Sequence, residues 1–504
     1  MADTARMPRD SRSALAAIAL TIGIAGGLSH GQGTGTGFLA EQIQRQFNQQ
    51  DAEFRNAYFA DTPISERLLI DGSGSFRYAF NSIDTSQSVA QYLNTFDTRL
   101  SLRMELDGMH RFYGRLRFLY NDWSTPGSIG PDEAAEGWQD PIGEIYWYEL
   151  DLGGAAQART GQKPESSLSL RGGRQYIIWA QGVALSGYMY ALTAQMSAGP
   201  WSLQFLAGQT AGNDTIDWDI SRPGFDTDTD RNFYGGMVTY TGLAGHAPFL
   251  YVLTQTDGNA GQVAMLPAGA PIAATTFDYA STYVGLGSVG SLGADLVYRG
   301  ELVYEFGTTL SDPLNHSGGL VPLPQVDDPI SAFGMVLGGT RLWRDTNDSR
   351  LDLQMALGTG DSQRIDAGNT FGGIAPNQTD HSFNSLGYIN TGLVLAPDLA
   401  NLGCPSVGYS TNPFPGQGIL RELRIGVTGY LFFKLDSEAP LSVPTNVGGS
   451  NFVGAEIDFN VDWRLTSDTA LNLKYGVFSP NASVFAPSED EARQVLYAAF
   501  TYSF

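Results

Sequence analysis

One residue in 504 is a cysteine, Cys404, so an internal disulfide and a cysteine-built metal cluster are both excluded. The histidines His30, His110, His246, His316 and His381 stand singly, with no H-x-x-H or H-E-x-x-H spacing. A transition-metal site therefore has no sequence support, and no cofactor is expected. Charge is scarce and one-sided: 29 Lys and Arg stand against 52 Asp and Glu, for a net charge of −23. Nucleic acid is not an expected partner, because phosphate binding needs a basic footprint. Long apolar runs are missing too. Beyond residue 31 nothing approaches the ~18 apolar residues that a membrane-crossing helix needs. That shortage leaves strands open, since a transmembrane β-strand needs only ~9–11 alternating residues.

What is abundant points the same way. The chain holds 61 Gly, 23 Tyr and 27 Phe, a composition of strands and hairpins. In "GAEIDFNVDWRL" (454–465), Ala455, Ile457, Phe459, Val461, Trp463 and Leu465 alternate with Glu456, Asp458, Asn460, Asp462 and Arg464. A period of two gives a strand one apolar and one charged face. "RLSLRMELD" (99–107), "RFYGRLRFLY" (111–120), "RLDLQMALG" (350–358), "ELRIGVTGYLFFK" (422–434) and "ALNLKYGVF" (470–478) behave alike.

Roughly eighteen such segments can be counted, and an open sheet that large is unusual in a soluble domain. No amphipathic helices are available to cover its apolar face. Closing the sheet, with the apolar face in lipid and the charged face on a wet lumen, satisfies both faces and leaves no edge. The expected fold is all-β: a transmembrane antiparallel β-barrel of about 18 strands with long extracellular loops. The strand estimates are 69–80, 92–107, 109–121, 143–153, 167–175, 183–197, 200–210, 231–242, 246–257, 277–288, 294–307, 331–344, 349–359, 386–396, 419–434, 451–465, 469–478 and 493–504. The last ends "LYAAFTYSF", which is similar to the terminal aromatic sorting signal of bacterial outer-membrane barrels.

Residues 1–31 read as a cleaved secretory signal, with Arg6, Arg9 and Arg12 before an apolar stretch at 14–28 and small Ser29 and Gly31 before Gln32. Residues 32–68 are expected to form a periplasmic N-terminal segment, and 69–504 the barrel. Within the former, Ile43, Phe47, Phe54 and Tyr58 make a short helical stripe, read as a periplasmic helix, a leader or a plug. "GLGSVG" (285–290) matches the dinucleotide fingerprint, but "ADLVYRGELVYEF" follows as a strand rather than a helix, so a hairpin is predicted. "GLSHG" (27–31) matches a nucleophile elbow but lies in the signal. The Asp-rich stretch 213–230 reads as a solvated loop, with Ca²⁺ as the alternative.

The candidate pore-lining residues are the charges on the inward face. The basic ones are Arg99, Arg103, Arg111, Arg115, Arg117, Arg171, Arg174, Arg299, Arg350, Arg424, Lys434, Arg464 and Lys474. Glu105, Asp107, Glu149, Asp151, Glu301, Glu305, Asp352, Glu422, Glu456, Asp458 and Asp462 are the acidic ones. Many would cross-pair and brace the wall, while Arg left over would attract anions, because charged rings set a pore's ionic selectivity.

Four stretches carry a family resemblance: "GGRQYIIWAQGVAL" (172–185), "FNSLGY" (383–388), "GAEIDFNVDWRL" and "YGVFSPN" (475–481). In these the chain resembles the bacterial alginate-export outer-membrane porins. The resemblance implies an eighteen-stranded barrel that conducts an anionic polysaccharide through an Arg-lined pore. Arg174 matches the family's Gly-Arg-Gln element, and Glu456, Asp458 and Arg464 match its paired-acid strand. The expected function is a non-enzymatic outer-membrane channel for an anionic polysaccharide or oligosaccharide. The alternative is a diffusion porin for small solutes; a structural or adhesive barrel and a barrel hydrolase are the readings from other classes. Expected partners are outer-membrane lipid and lipopolysaccharide, the anionic saccharide, and periplasmic export proteins.

Overall fold

A computed structural model describes residues 67–84, 90–124, 137–210, 231–258, 263–266, 273–276, 278–315, 321–364, 373–443, 445, 449–487 and 490–504. The expected signal, the helical stripe at 40–60 and the Asp-rich stretch 213–230 lie outside these residues. Eighteen strands form one sheet. They are β1 (Leu68–Asp84), β2 (Gln91–Leu106), β3 (His110–Trp123), β4 (Gly137–Asp151), β5 (Ser166–Ile178) and β6 (Ser186–Ala198). Next come β7 (Trp201–Thr210), β8 (Arg231–Tyr240), β9 (His246–Asp257), β10 (Tyr279–Leu292), β11 (Leu296–Leu310) and β12 (Asp327–Leu342). The last are β13 (Arg350–Gly358), β14 (Leu402–Thr411), β15 (Leu423–Lys434), β16 (Phe452–Arg464), β17 (Thr469–Pro480) and β18 (Arg493–Ser503).

Each strand pairs antiparallel with its neighbours in the chain, and β18 pairs back onto β1. At the seam, Gly74 and Phe504 exchange backbone hydrogen bonds of 2.8 and 2.9 Å. The terminal aromatic strand is thus the last stave, and no edge is left open.

The two faces sort as the alternation requires. On β2, Leu100 and Leu102 are 42% and 49% exposed while Asp97 and Arg99 are 3% exposed. On β16, Ile457 and Phe459 are about half exposed and Glu456 is buried. Apolar side chains out and charges in is the reverse of a soluble domain, and it suits a bilayer around the barrel and water within it. The protein is an outer-membrane β-barrel.

One end carries short connections: 107–109, 199–200, 241–245, 293–295, 343–349 and 465–468. At the first of them Asp107 and Gly108 both take positive φ (54° and 72°), the conformation that matches the twist of the flanking strands. Asp107, expected on the wall, sits in this turn, where its carboxylate accepts the Met109 N–H. A helix, α1 (Leu152–Thr160), capped by Asp151 and ended by Gly161, closes the β4–β5 connection at the same end. The long connections leave from the opposite end, the arrangement of periplasmic turns and outer loops. "GLGSVG" lies within β10 and leads into the β10–β11 hairpin.

One expected strand is absent and another was missed. Residues 386–396 are not a strand; they belong to the β13–β14 connection, whose described part 373–401 folds into the barrel. The strand is β14, in a stretch expected to be loop. "GYINTGLVLAPDLA" (387–400) is apolar without alternation, a pattern that a strand and a buried coil share. Pro405 within β14 has no N–H to give a ladder and is out of character for a strand interior. The β14–β15 register passes over Cys404 and Pro405, so the missing N–H has no ladder partner to lose there.

Candidate functional site in the barrel lumen

Two connections enter the lumen and pack against each other. From 373–401, Phe383, Leu386, Ile389, Leu393 and Leu399 join the buried core; from 179–185, so do Trp179, Val183 and Leu185. Leu185 and Leu386 form a parallel bridge, and the Tyr388 N–H donates to the Gly182 carbonyl at 2.6 Å. The Ser385 hydroxyl donates to the Val183 carbonyl at 2.6 Å.

Irregular backbone inside a barrel needs hydrogen-bond partners, and wall carboxylates supply them. Glu301 on β11 accepts the Gln181 N–H at 2.9 Å and the Tyr251 hydroxyl at 2.5 Å. Glu305, two inward positions along, accepts the Asn384 N–H at 2.8 Å and the Tyr279 hydroxyl at 2.6 Å. On β16, Glu456 accepts three successive N–H groups, those of Leu393, Val394 and Leu395, at 2.5, 2.8 and 2.9 Å. Within the connection itself, Arg364 pairs with Asp380, both fully buried. Burial disfavours the Arg364 cation, but Asp380 beside it, together with Tyr279 and Asp361, raises its pKa above the usual value.

The wall of β2–β6 is different: here charges pair with charges. Arg99 lies 3.1 Å from Asp97 and 3.4 Å from Glu144. Arg115 is 2.7 Å from Glu144, which also accepts the Tyr188 hydroxyl at 3.2 Å. Arg117 makes two contacts with Asp97, at 3.2 and 3.1 Å. Nearer the short-turn end, Glu149 joins Arg111 at 2.8 Å and Arg171 at 2.6 Å, and Arg111 also reaches Asp151 at 2.9 Å. Arg171 stacks 4.0 Å over the Trp147 ring. Arg103 pairs with Glu105 at 3.6 Å. Arg174 donates to the Glu144 carbonyl at 3.0 Å and lies 5.7 and 5.6 Å from the Tyr188 and Tyr190 rings. Arg99, Arg115, Arg117 and Arg174 are nearly buried, whereas Arg103, Arg111 and Arg171 retain 17%, 26% and 39% side-chain exposure.

The other candidates are scattered. Arg299 donates to the Gln354 side chain, whose amide donates to the Asn390 carbonyl, so it braces the inward connection. Arg350 meets Asp352 and Ser410 at 3.4 and 2.9 Å. Arg424 pairs with Asp348 in the β12–β13 turn. Arg464 is 64% exposed and 3.8 Å from Glu422, at the short-turn rim. Lys474 lies opposite Asn460 in register and interacts with Asp462 and Asp458. Glu456 is covered by the connection that it holds.

Two acids central to this web, Asp97 and Glu144, were not among the candidates. Glu144 has the wrong parity for the face that carries Glu149 and Asp151. The β3–β4 register shifts at Arg115/Leu116, so that Arg115 opposes Ile145 while Leu116 opposes Gly143. A bulge of this kind re-aims the side chain; Glu144 ends on the inside. Asp97 has the inward parity of Arg99 and was legible; the expected alternation began only at Arg99.

No family model matches the chain, and no curated protein matches it. Solved structures do. The chain is similar to OpdK of Pseudomonas aeruginosa, solved with vanillate, at a TM-score of 0.51 and 13% identity over 86% of this chain and 98% of that one. It is similar to OccK8 (OprE) of the same organism, at 0.50 and 11% over 86% and 98%. OccAB4 of Acinetobacter baumannii gives 0.50 and 10% over 88% and 100%. At such identities the likeness shows the fold alone: the eighteen-stranded barrel that these outer-membrane channels share. The stretches that resemble the alginate-export porins bring no family match with them.

Proposed function

We propose that the chain is a passive channel for small solutes, with small anions favoured. This replaces the expectation of a polysaccharide exporter by its alternative. The observation that carries it is that 179–185 and 373–401 pack inward against each other and against the wall, an arrangement that favours a small solute over a polymer. The anion preference rests on the exposed edges of Arg103, Arg111 and Arg171, which offer successive weak sites along one side. OpdK was solved with vanillate, a small carboxylate, and a ligand of that size suits this reading.

The test is single-channel current of the full-length protein in a planar bilayer under a KCl gradient. Anion selectivity, with block by benzoate and none by oligouronates, is the expected result. Block by oligouronates alone would return the polymer reading, and a cation-selective current would remove the role given to the arginines.

A further inference from the structure

Glu456 holds more of the inward connection than any ion pair in the wall does. Its carboxylate receives the N–H groups of residues 393–395 in sequence, on both oxygens. Charge-assisted bonds of this kind are about twice as strong as neutral ones. Gly392, at φ +119°, passes so close that a Cβ there would lie 2.6 Å from Glu456 Oε1. The turn is shaped for the grip: the Thr391 hydroxyl donates to the Pro397 carbonyl at 2.7 Å, and the Gly392 N–H to the Asn390 side chain at 3.1 Å. Beneath it β17 has no side chain at Gly476; a Cβ built there would lie 2.7 Å from Val394 Cγ2 and 3.2 Å from Leu393 Cδ2. The turn has three further side-chain attachments: Asp458, beside Glu456 on β16, which also faces the Leu393 N–H, Gln354 to the Asn390 carbonyl at 2.7 Å, and Asn390 to the Tyr430 hydroxyl at 3.3 Å.

We infer that Glu456 is the positioning residue that sets the channel's aperture, by strapping the turn 390–397 flat against β16 and β17. The inference rests on the channel reading above. Removing the carboxylate leaves the Val394 and Leu395 N–H groups without their acceptor and the Leu393 N–H with Asp458 alone, while the Asn390 attachments persist. The turn then swings off the wall, carrying Leu393 and Val394 with it, and the lumen changes bore. An amide at this position is a partial substitute. Its oxygen can still accept from Leu393 and Val394, but its NH₂ would face the Leu395 N–H, donor against donor.

The experiment compares the full-length parent with Glu456→Ala and Glu456→Gln in planar bilayers. It reads unit conductance and the largest neutral polyethylene glycol that lowers the current. Folding is checked by heat-modifiable gel mobility. Glu456→Ala should change conductance about twofold or more and alter the polymer cut-off, with Glu456→Gln between it and the parent. If the alanine chain does not fold, the glutamine chain decides by the same criteria. A conducting parent with folded variants of unchanged current and cut-off overturns the strap and leaves the channel standing. If neither parent nor variants conduct, both readings fall. A silent parent with a conducting variant supports both.

Discussion

At Glu144 one carboxylate serves two guanidiniums, Arg99 at 3.4 Å and Arg115 at 2.7 Å, with all three side chains at most 5% exposed. Removing one partner of a buried pair strands the other charge, which typically costs about 3–5 kcal/mol. Glu144→Ala should therefore lower unfolding free energy in vesicles by that order, as read by urea titration, and Glu144→Gln by less. Both should also move the reversal potential toward anions, because a negative charge leaves an Arg-rich wall. A stable variant with unchanged selectivity would mean that Asp97 alone carries the pairing. Glu144 also shows where reading the sequence stops. Alternation assigns faces by parity, and the bulge opposite Arg115 and Leu116 changes parity within β4. Nothing in "GEIYWYELD" marks that shift. The Arg residues of β2 and β3 were legible because those two strands pair without a break from Leu93 to Leu106.

At the scale of elements, alternation recovered the regular strands and failed where backbone leaves the sheet. Residues 387–400 are apolar because they are buried inside a barrel, not because they face lipid, and composition does not separate those two environments. Their seat depends on close backbone approach. Gly387 meets the 179–185 connection so tightly that a Cβ would lie 1.9 Å from the Gly182 carbonyl oxygen and 2.6 Å from that of Val183. Backbone cannot yield as a side-chain tip can. Gly387→Ala should therefore part the two inward connections, at a cost of about 1–3 kcal/mol as in other overpacked sites. The Tyr388-to-Gly182 hydrogen bond at this junction would go with it. Faster amide exchange at Tyr388 and Ser186 in the variant, with the barrel strands unchanged, is the expected signature. Equal protection in both chains would show that the junction tolerates a side chain.

For the whole molecule, the strand number survived an exchange of one strand for another, because closure constrains the total more firmly than any single assignment. An up-and-down barrel whose ends meet, β18 on β1, has no room for an odd stave. What makes the closed sheet stable is the environment on each side, and that is testable one residue apart. Leu100 points outward at 42% exposure beside Leu116, at 48%, on the neighbouring strand. Ser101, the next residue, turns to the lumen, where it accepts the Tyr113 hydroxyl at 3.2 Å. An Arg at the bilayer midplane on the lipid face costs about 2–4 kcal/mol, whereas lumen substitutions tune selectivity. Leu100→Arg should thus lose stability, by up to that order according to its depth in the bilayer, when refolded into vesicles and titrated with urea. Ser101→Arg should keep most of its stability and raise the preference for anions. Were both variants destabilised alike, the outer face of β2 would not be a lipid face, and the two-sided logic of the barrel would fail at its centre.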